Sequence, residues 1–172
     1  MNPARCLLLI PLLLCACNSD RGTPEDPANL QSAAAEAAVR HVIAQCSRQE
    51  EAELGVILIG DEFARPTPEF VERFKDVPGL SFIDSHRVVW GTVGGVVRRY
   101  EERSGKPVLD IKITKVAATK GGAQEAWVAW AWQEEGENFH LELKPKPAGG
   151  YDIRELARTA LKSPPPKTDG DK

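Results

Sequence analysis

The sequence predicts an α+β fold, a long N-terminal helix packed on a curved antiparallel sheet, and three observations carry it. Ala28 to Gln49 is alanine-rich, and Ala35, Ala38, Val39, Val42, Ile43 and Cys46 recur along one stripe at helical spacing. The second half is a series of β-rich segments cut by Gly, Pro and Ser turns, the order of an antiparallel meander. One of those segments, Arg87 to Glu102, is interrupted by Gly94-Gly95, which predicts a bulge or bend.

The elements follow in chain order. The small residues of Ala28 to Gln49 suit a helix lying close to whatever it covers. Gly55 to Gly60 (GVILIG) is too short and too β-branched for a helix, so it predicts a buried strand. Thr67, Pro68 and Glu69 fit the N-cap, first turn and dipole positions of a short helix to Lys75, before Pro78-Gly79. Ser104-Gly105-Lys106 turns the chain into a strand from Val108 to Ala118, where Leu109, Ile111 and Ile113 alternate with Asp110, Lys112 and Thr114. Lys120-Gly121-Gly122 is a hairpin signal. Ala126 to Trp132 carries no charge on either face, which suits a central strand whose Ala129 and Ala131 sit beneath the helix. After a turn from Glu134 to Asn138, Phe139, Leu141 and Leu143 alternate with His140, Glu142 and Lys144. The last segment reads two ways. Gly149-Gly150 favours a closing strand from Tyr151 to about Leu156, while Ile153, Leu156, Ala157, Ala160 and Leu161 also fit a helical period behind an Asp152/Glu155 capping pair.

The ends of the chain are of a different character. Arg5 precedes an apolar run from Cys6 to Cys17, with Pro11 inside it. Roughly 20 apolar residues are needed to span a bilayer, so the run reads as a secretory signal and not as a spanning helix. Leu14-Cys15-Ala16-Cys17 resembles the lipobox of bacterial lipoproteins, with Cys15 standing where Ala, Ser or Thr is more usual. The resemblance implies a signal peptide over 1–16, cleavage after Ala16, and a diacylglyceryl thioether with further acylation at Cys17. Palmitate is the lipid class this implies. By analogy with lipoprotein sorting, Asn18 implies the outer membrane, facing the periplasm. Residues 17–27 then form the lipidated Cys and a polar, proline-containing tether. Residues 28–162 form the domain, and 163–172, with no large apolar side chain, a disordered tail.

Cysteine usage follows from this reading. Cys6 and Cys15 leave with the signal and Cys17 carries lipid, so Cys46 remains alone, on the apolar stripe of the helix. Removing residues 1–16 takes away Arg5, leaving 21 Lys+Arg against 25 Asp+Glu, a net charge of −4. A domain with that balance has no basic surplus for nucleic acid.

The order of helices followed by strands resembles cystatin-like and NTF2-like α+β rolls. The Gly60 to Glu62 turn, Pro66-x-Pro68 before a Phe-containing helix, and the closing hairpins carry the likeness, and none is a catalytic signature.

His41, His86 and His140 share no metal-ligand spacing, so no metal or cofactor is expected. Asp84-Ser85-His86 holds triad residue types, but neighbours in an extended chain point apart. The acidic pairs Asp61-Glu62, Glu101-Glu102 and Glu134-Glu135 fall at turns or strand ends. No enzyme activity is therefore expected. The remaining lead is aromatic: Trp130 and Trp132 share one strand face, with Trp127 opposite and Trp90 on another strand. Exposed, Trp130 and Trp132 would form a candidate binding surface; turned inward, they would fill the core. Two functions follow. The first is a membrane-anchored, periplasm-facing, non-enzymatic interaction module for an envelope protein. The alternative is a small-ligand-binding roll with an apolar or aromatic pocket.

Overall fold

Ser32 decides where the main helix begins. Its backbone is extended (ψ 172°) and its hydroxyl accepts the Ala35 N–H at 3.3 Å, satisfying one of the orphan donors of the first turn. In the computed structural model, which describes residues 28–93 and 96–161, helix α1 therefore runs Ala33–Gln45, shorter at both ends than the alanine content predicts. Asn29–Gln31 form a separate 3₁₀ turn, and Cys46 leaves the helix in an extended conformation. Ala34, Ala35, Ala38, Val39, Val42 and Ile43 are buried, each Val or Ile contributing about 1.5–3 kcal/mol by leaving water. The signal, lipobox and tether, the Gly94-Gly95 pair and the tail lie outside the described residues.

The class is α+β as expected, but the sheet is mixed. Its six strands run β2-β1-β5-β6-β7-β8, with β1 Leu54–Ile59, β2 Ser81–Phe82, β5 Val108–Ala118, β6 Gln124–Trp132, β7 Glu135–Pro145 and β8 Tyr151–Ala160. β1 lies parallel to both β2 and β5, whereas β5 to β8 form an antiparallel meander. Parallel neighbours need a long crossover. The chain between β1 and β5 supplies it with helix α2 (Pro68–Glu72), β2 and a separate hairpin. Thr67 caps α2 by accepting the Phe70 N–H at 3.3 Å, and Phe70 meets Phe74 edge-to-face at 5.3 Å.

Two expectations are corrected and one open choice is resolved. The segment around Gly94-Gly95 is not one bent strand: β3 (Val88–Val93) and β4 (Val96–Glu101) fold back on each other as an antiparallel hairpin of their own, Val93 opposite Val96. Ala129 and Ala131 do not lie under the helix. Ala126, Val128, Trp130 and Trp132 belong to the core that α1 covers, and the alternation of β6 sends the alanines to the other face. Between the two readings of Tyr151 onward, the strand wins and runs to Ala160. Gly149 and Gly150 (φ 90° and 77°) turn the chain back onto β7, whose edge offers a full row of hydrogen-bonding partners.

One large core lies between α1, α2 and the sheet, with Leu109, Ile111, Ile113, Phe139, Leu141 and Leu143 at its centre. A smaller cluster of Val56, Leu58 and Val108 sits on the sheet's second face, where Val88 of β3 packs against it. Among the described residues no helix is long and apolar enough to cross a membrane.

Candidate functional site

The two faces of the sheet differ in what covers them. α1 seals one. The hairpin β3–β4 leans over the β1–β5 end of the other through Val88 and through Arg99, whose Nη1 donates to Asp110 Oδ1 at 2.7 Å. The rest of that second face, on β5, β6 and β7, has no element packed over it among the described residues.

Trp130 and Trp132, the expected binding pair, are not on it. They are 2% and 5% exposed, and Trp130 Nε1 donates to Glu137 Oε2 at 3.0 Å. They fill the core, and the candidate surface they would have formed is withdrawn. The aromatics that face water are Trp90 on β3, 71% exposed, and Phe63 in the turn after β1, 57% exposed. Trp127, half-buried, belongs to the second face with Ala129 and Ala131.

Each of these rings has a cation at its face. Lys112 Nζ lies 4.1 Å from the Phe63 centroid, Lys115 Nζ 5.0 Å from Trp127, and the Arg99 guanidinium 5.8 Å from Trp90. His140 stacks on Trp127 at 4.2 Å and pairs through Nε2 with Glu125 Oε2 at 2.8 Å. Backbone geometry sets some of this. Phe63 holds φ 56°, a left-handed conformation uncommon outside Gly, Asn and Asp. A bulge between Ile113 and Lys115 breaks the alternation of β5, and Thr114 Oγ1 donates to the Trp127 carbonyl at 3.3 Å there. Lys112 pairs with Ala129 and Asp110 with Ala131 across β5–β6, so methyl groups floor the space between the aromatic–cation pairs. Burial pushes the Asp110 carboxyl up to about 6, against the opposing pull of Arg99.

Asp84 and His86 do meet, contrary to the expectation that neighbours point apart. Ser85–Arg87 is a 3₁₀ turn, and Asp84 Oδ1 accepts the His86 N–H at 3.0 Å and lies 2.8 Å from His86 Nδ1. That is the geometry of a turn cap: both side chains are exposed, and no hydrogen bond joins Ser85 Oγ to His86. His41 pairs with Glu155 at 3.0 Å, far in sequence from the other two histidines. No group of three or more metal-binding side chains converges among the described residues. Cys46 is buried, and burial pushes its thiol pKa up, as suits a packing residue. A cavity of about 440 Å³ opens elsewhere, between α2, β1 and β2. It lies at the sheet edge, not in the interior under α1.

No family model, no curated protein and no solved structure matches this chain. The sequence holds a signal for the second face that the choice of Trp130 and Trp132 passes over: Glu125 shares a strand face with Trp127, and it marks that side of β6 as the polar one.

Proposed function

We propose that the protein is a lipid-anchored, non-enzymatic interaction module, held to the membrane at Cys17 and docking an envelope protein on the uncovered sheet face. The observation that carries the docking reading is Trp90, a large apolar ring held in water beside a charged pair. Trp and Arg dominate binding hot spots because they offer wide contact area together with directed polar groups. Phe63 and Trp127, each capped by a lysine, extend the same chemistry across the face. Cations stacked on rings suit a partner that brings carboxylates and apolar side chains together.

The anchoring half of the proposal rests on Leu14-Cys15-Ala16-Cys17. One acyl chain holds a protein only marginally, whereas two or more hold it stably, each buried CH₂ adding about 0.8 kcal/mol. Asn18 favours the outer membrane, with the domain in the periplasm. The packing of α1 on β5, β6 and β7 supports a cystatin-like or NTF2-like roll, to which the parallel β1–β2 edge is an addition.

Two measurements test the halves separately. Palmitate labelling in cells should vanish in Cys17→Ser, and label that persists would refute anchoring at that thiol. A photo-crosslinking residue placed at Phe63 should capture an envelope protein, and Trp90→Ala in the same chain should abolish the adduct. An adduct indifferent to Trp90, or none at all from this face, would refute the docking reading.

A further inference from the structure

The cavity between α2, β1 and β2 is independent of the uncovered face and has a chemistry of its own. Its walls are Ile57, Val71 and Phe82, and its rim carries Arg65, Glu72 and Asp84. Gly55 shapes the aromatic wall. A Cβ there would stand 2.9 Å from Phe82 Cε1, so only glycine lets that ring lie down across β1. Phe74 then backs the ring at 5.6 Å. About 440 Å³ of space falls within the range of small-molecule sites.

The charges at the rim decide what fits. Glu72 is engaged by Lys75 Nζ at 2.9 Å. Asp84 spends Oδ1 on His86, and His86 holds its carboxyl below the usual carboxylate range, so it stays ionised at neutral pH. Arg65 Nε stands 3.8 Å from the same Oδ1, beyond hydrogen-bond distance. A guanidinium with donors to spare therefore sits next to a carboxylate whose Oδ2 accepts no hydrogen bond among the described residues. A lone anion would meet Asp84 and Glu72, and a lone cation would meet Arg65. A head group carrying both signs pairs with both.

We infer that this cavity binds a small zwitterion with an apolar body, a hydrophobic α-amino acid or dipeptide. The side chain lies against Ile57, Val71 and Phe82, the carboxylate accepts from Arg65, and the ammonium donates to Asp84. The test is calorimetric titration of the full chain in detergent with phenylalanine, phenethylamine and 3-phenylpropionate. Phenylalanine should bind saturably and at least tenfold tighter than either single-charge analogue. Arg65→Gln, at an exposed position, should weaken phenylalanine about tenfold while melting like the wild type. Val71→Trp should fill the space and abolish binding. Three equal affinities, tighter binding of phenethylamine, binding unchanged in both variants, or no heat from any probe would each overturn the inference. None of these results bears on crosslinking from Phe63, so this inference and the docking proposal fail separately.

Discussion

Arg99 of β4 and Asp110 of β5 form the strut that ties the separate hairpin to the main sheet, 2.7 Å apart and only 14% and 17% exposed. The neighbours of Asp110 across the sheet, Val56 and Ala131, offer it no charge. Arg99 Nε is buried and has no hydrogen-bond partner among the described residues. Taking two ions out of water costs several kcal/mol each, and the pair recovers this only when geometry and further hydrogen bonds are complete. Here they are not, which is why Asp110 prefers its proton up to about pH 6.

The pH dependence follows with a definite sign. Asp110 has a folded pKa of about 6, above its ordinary 3.8, so the fold binds the proton more tightly than the unfolded chain. Its contribution is fully present below about pH 3.8 and is lost as pH rises through 6, an amount of up to about 3 kcal/mol. Urea unfolding of wild type and Asp110→Asn across that window should give a difference in stability that moves by this order. A difference constant with pH would contradict the raised pKa.

Glu101, the last residue of β4, should respond in the opposite direction. The Ser104 hydroxyl and N–H, followed by Arg87, hold its carboxyl at about 2, with Ser104 N at 2.7 Å and Arg87 Nη2 at 2.8 Å. A depressed carboxyl stabilises the fold above its ordinary pKa of 4.5, and that stabilisation fades as pH falls through 2. Glu101→Gln should lower the melting temperature at pH 7 and make little difference at pH 2. Equal destabilisation at both would mean that the charge is not what matters there.

How far the sequence reaches depends on the range of the interaction. β5, β6 and β7 are readable because period-two alternation is a local signal, and Thr67-Pro68 fixes the start of α2 through bonds within one turn. The helix ends are not, since alanine favours helix everywhere and Ser32 interrupts it through its own ψ. The direction of β1 is unreadable too: a run of apolar residues says that both faces are buried, not which neighbour lies parallel. Gly94-Gly95 in the sequence serves a bend or a hairpin equally well, and what separates the two is the pairing of β3 with β4 along their length. The candidate surface was half readable. Parity puts Trp127 opposite Trp130 and Trp132, but which side α1 takes is a long-range fact.

That division between the tryptophans is directly measurable. Trp130→Ala should cost about 3–5 kcal/mol, the range for emptying a large aromatic site, and would also leave Glu137 without its indole donor. Trp90→Ala removes an exposed ring and should stay within about 0.5 kcal/mol of wild type. Acrylamide should quench wild-type fluorescence in part, and Trp90→Phe should remove most of the quenchable fraction. Quenching that survives Trp90→Phe unchanged would place the accessible indole elsewhere.

Gly136 supplies the sharpest packing test. It stands opposite Ala131 in the β6–β7 ladder, just after the tight turn in which Gln133 holds φ 55°. A Cβ at Gly136 would fall 2.5 Å from the Trp130 carbonyl oxygen and 3.2 Å from the Ala131 Cα. Both are backbone atoms of a central strand, so neither can swing aside as the end of a flexible side chain would. Relief requires β6 and β7 to separate locally, and Leu161, whose Cδ1 lies 2.8 Å from the same position, would have to move as well. Gly136→Ala should therefore destabilise the domain by about 1–3 kcal/mol, the usual cost of overpacking. A glycine merely exposed in a strand would show the reverse, because alanine restricts the unfolded chain and stabilises by about 0.4–1 kcal/mol where the backbone tolerates it. Chemical denaturation of the single variant separates the two, and a gain in stability would mean that a Cβ at Gly136 clears the Trp130 carbonyl.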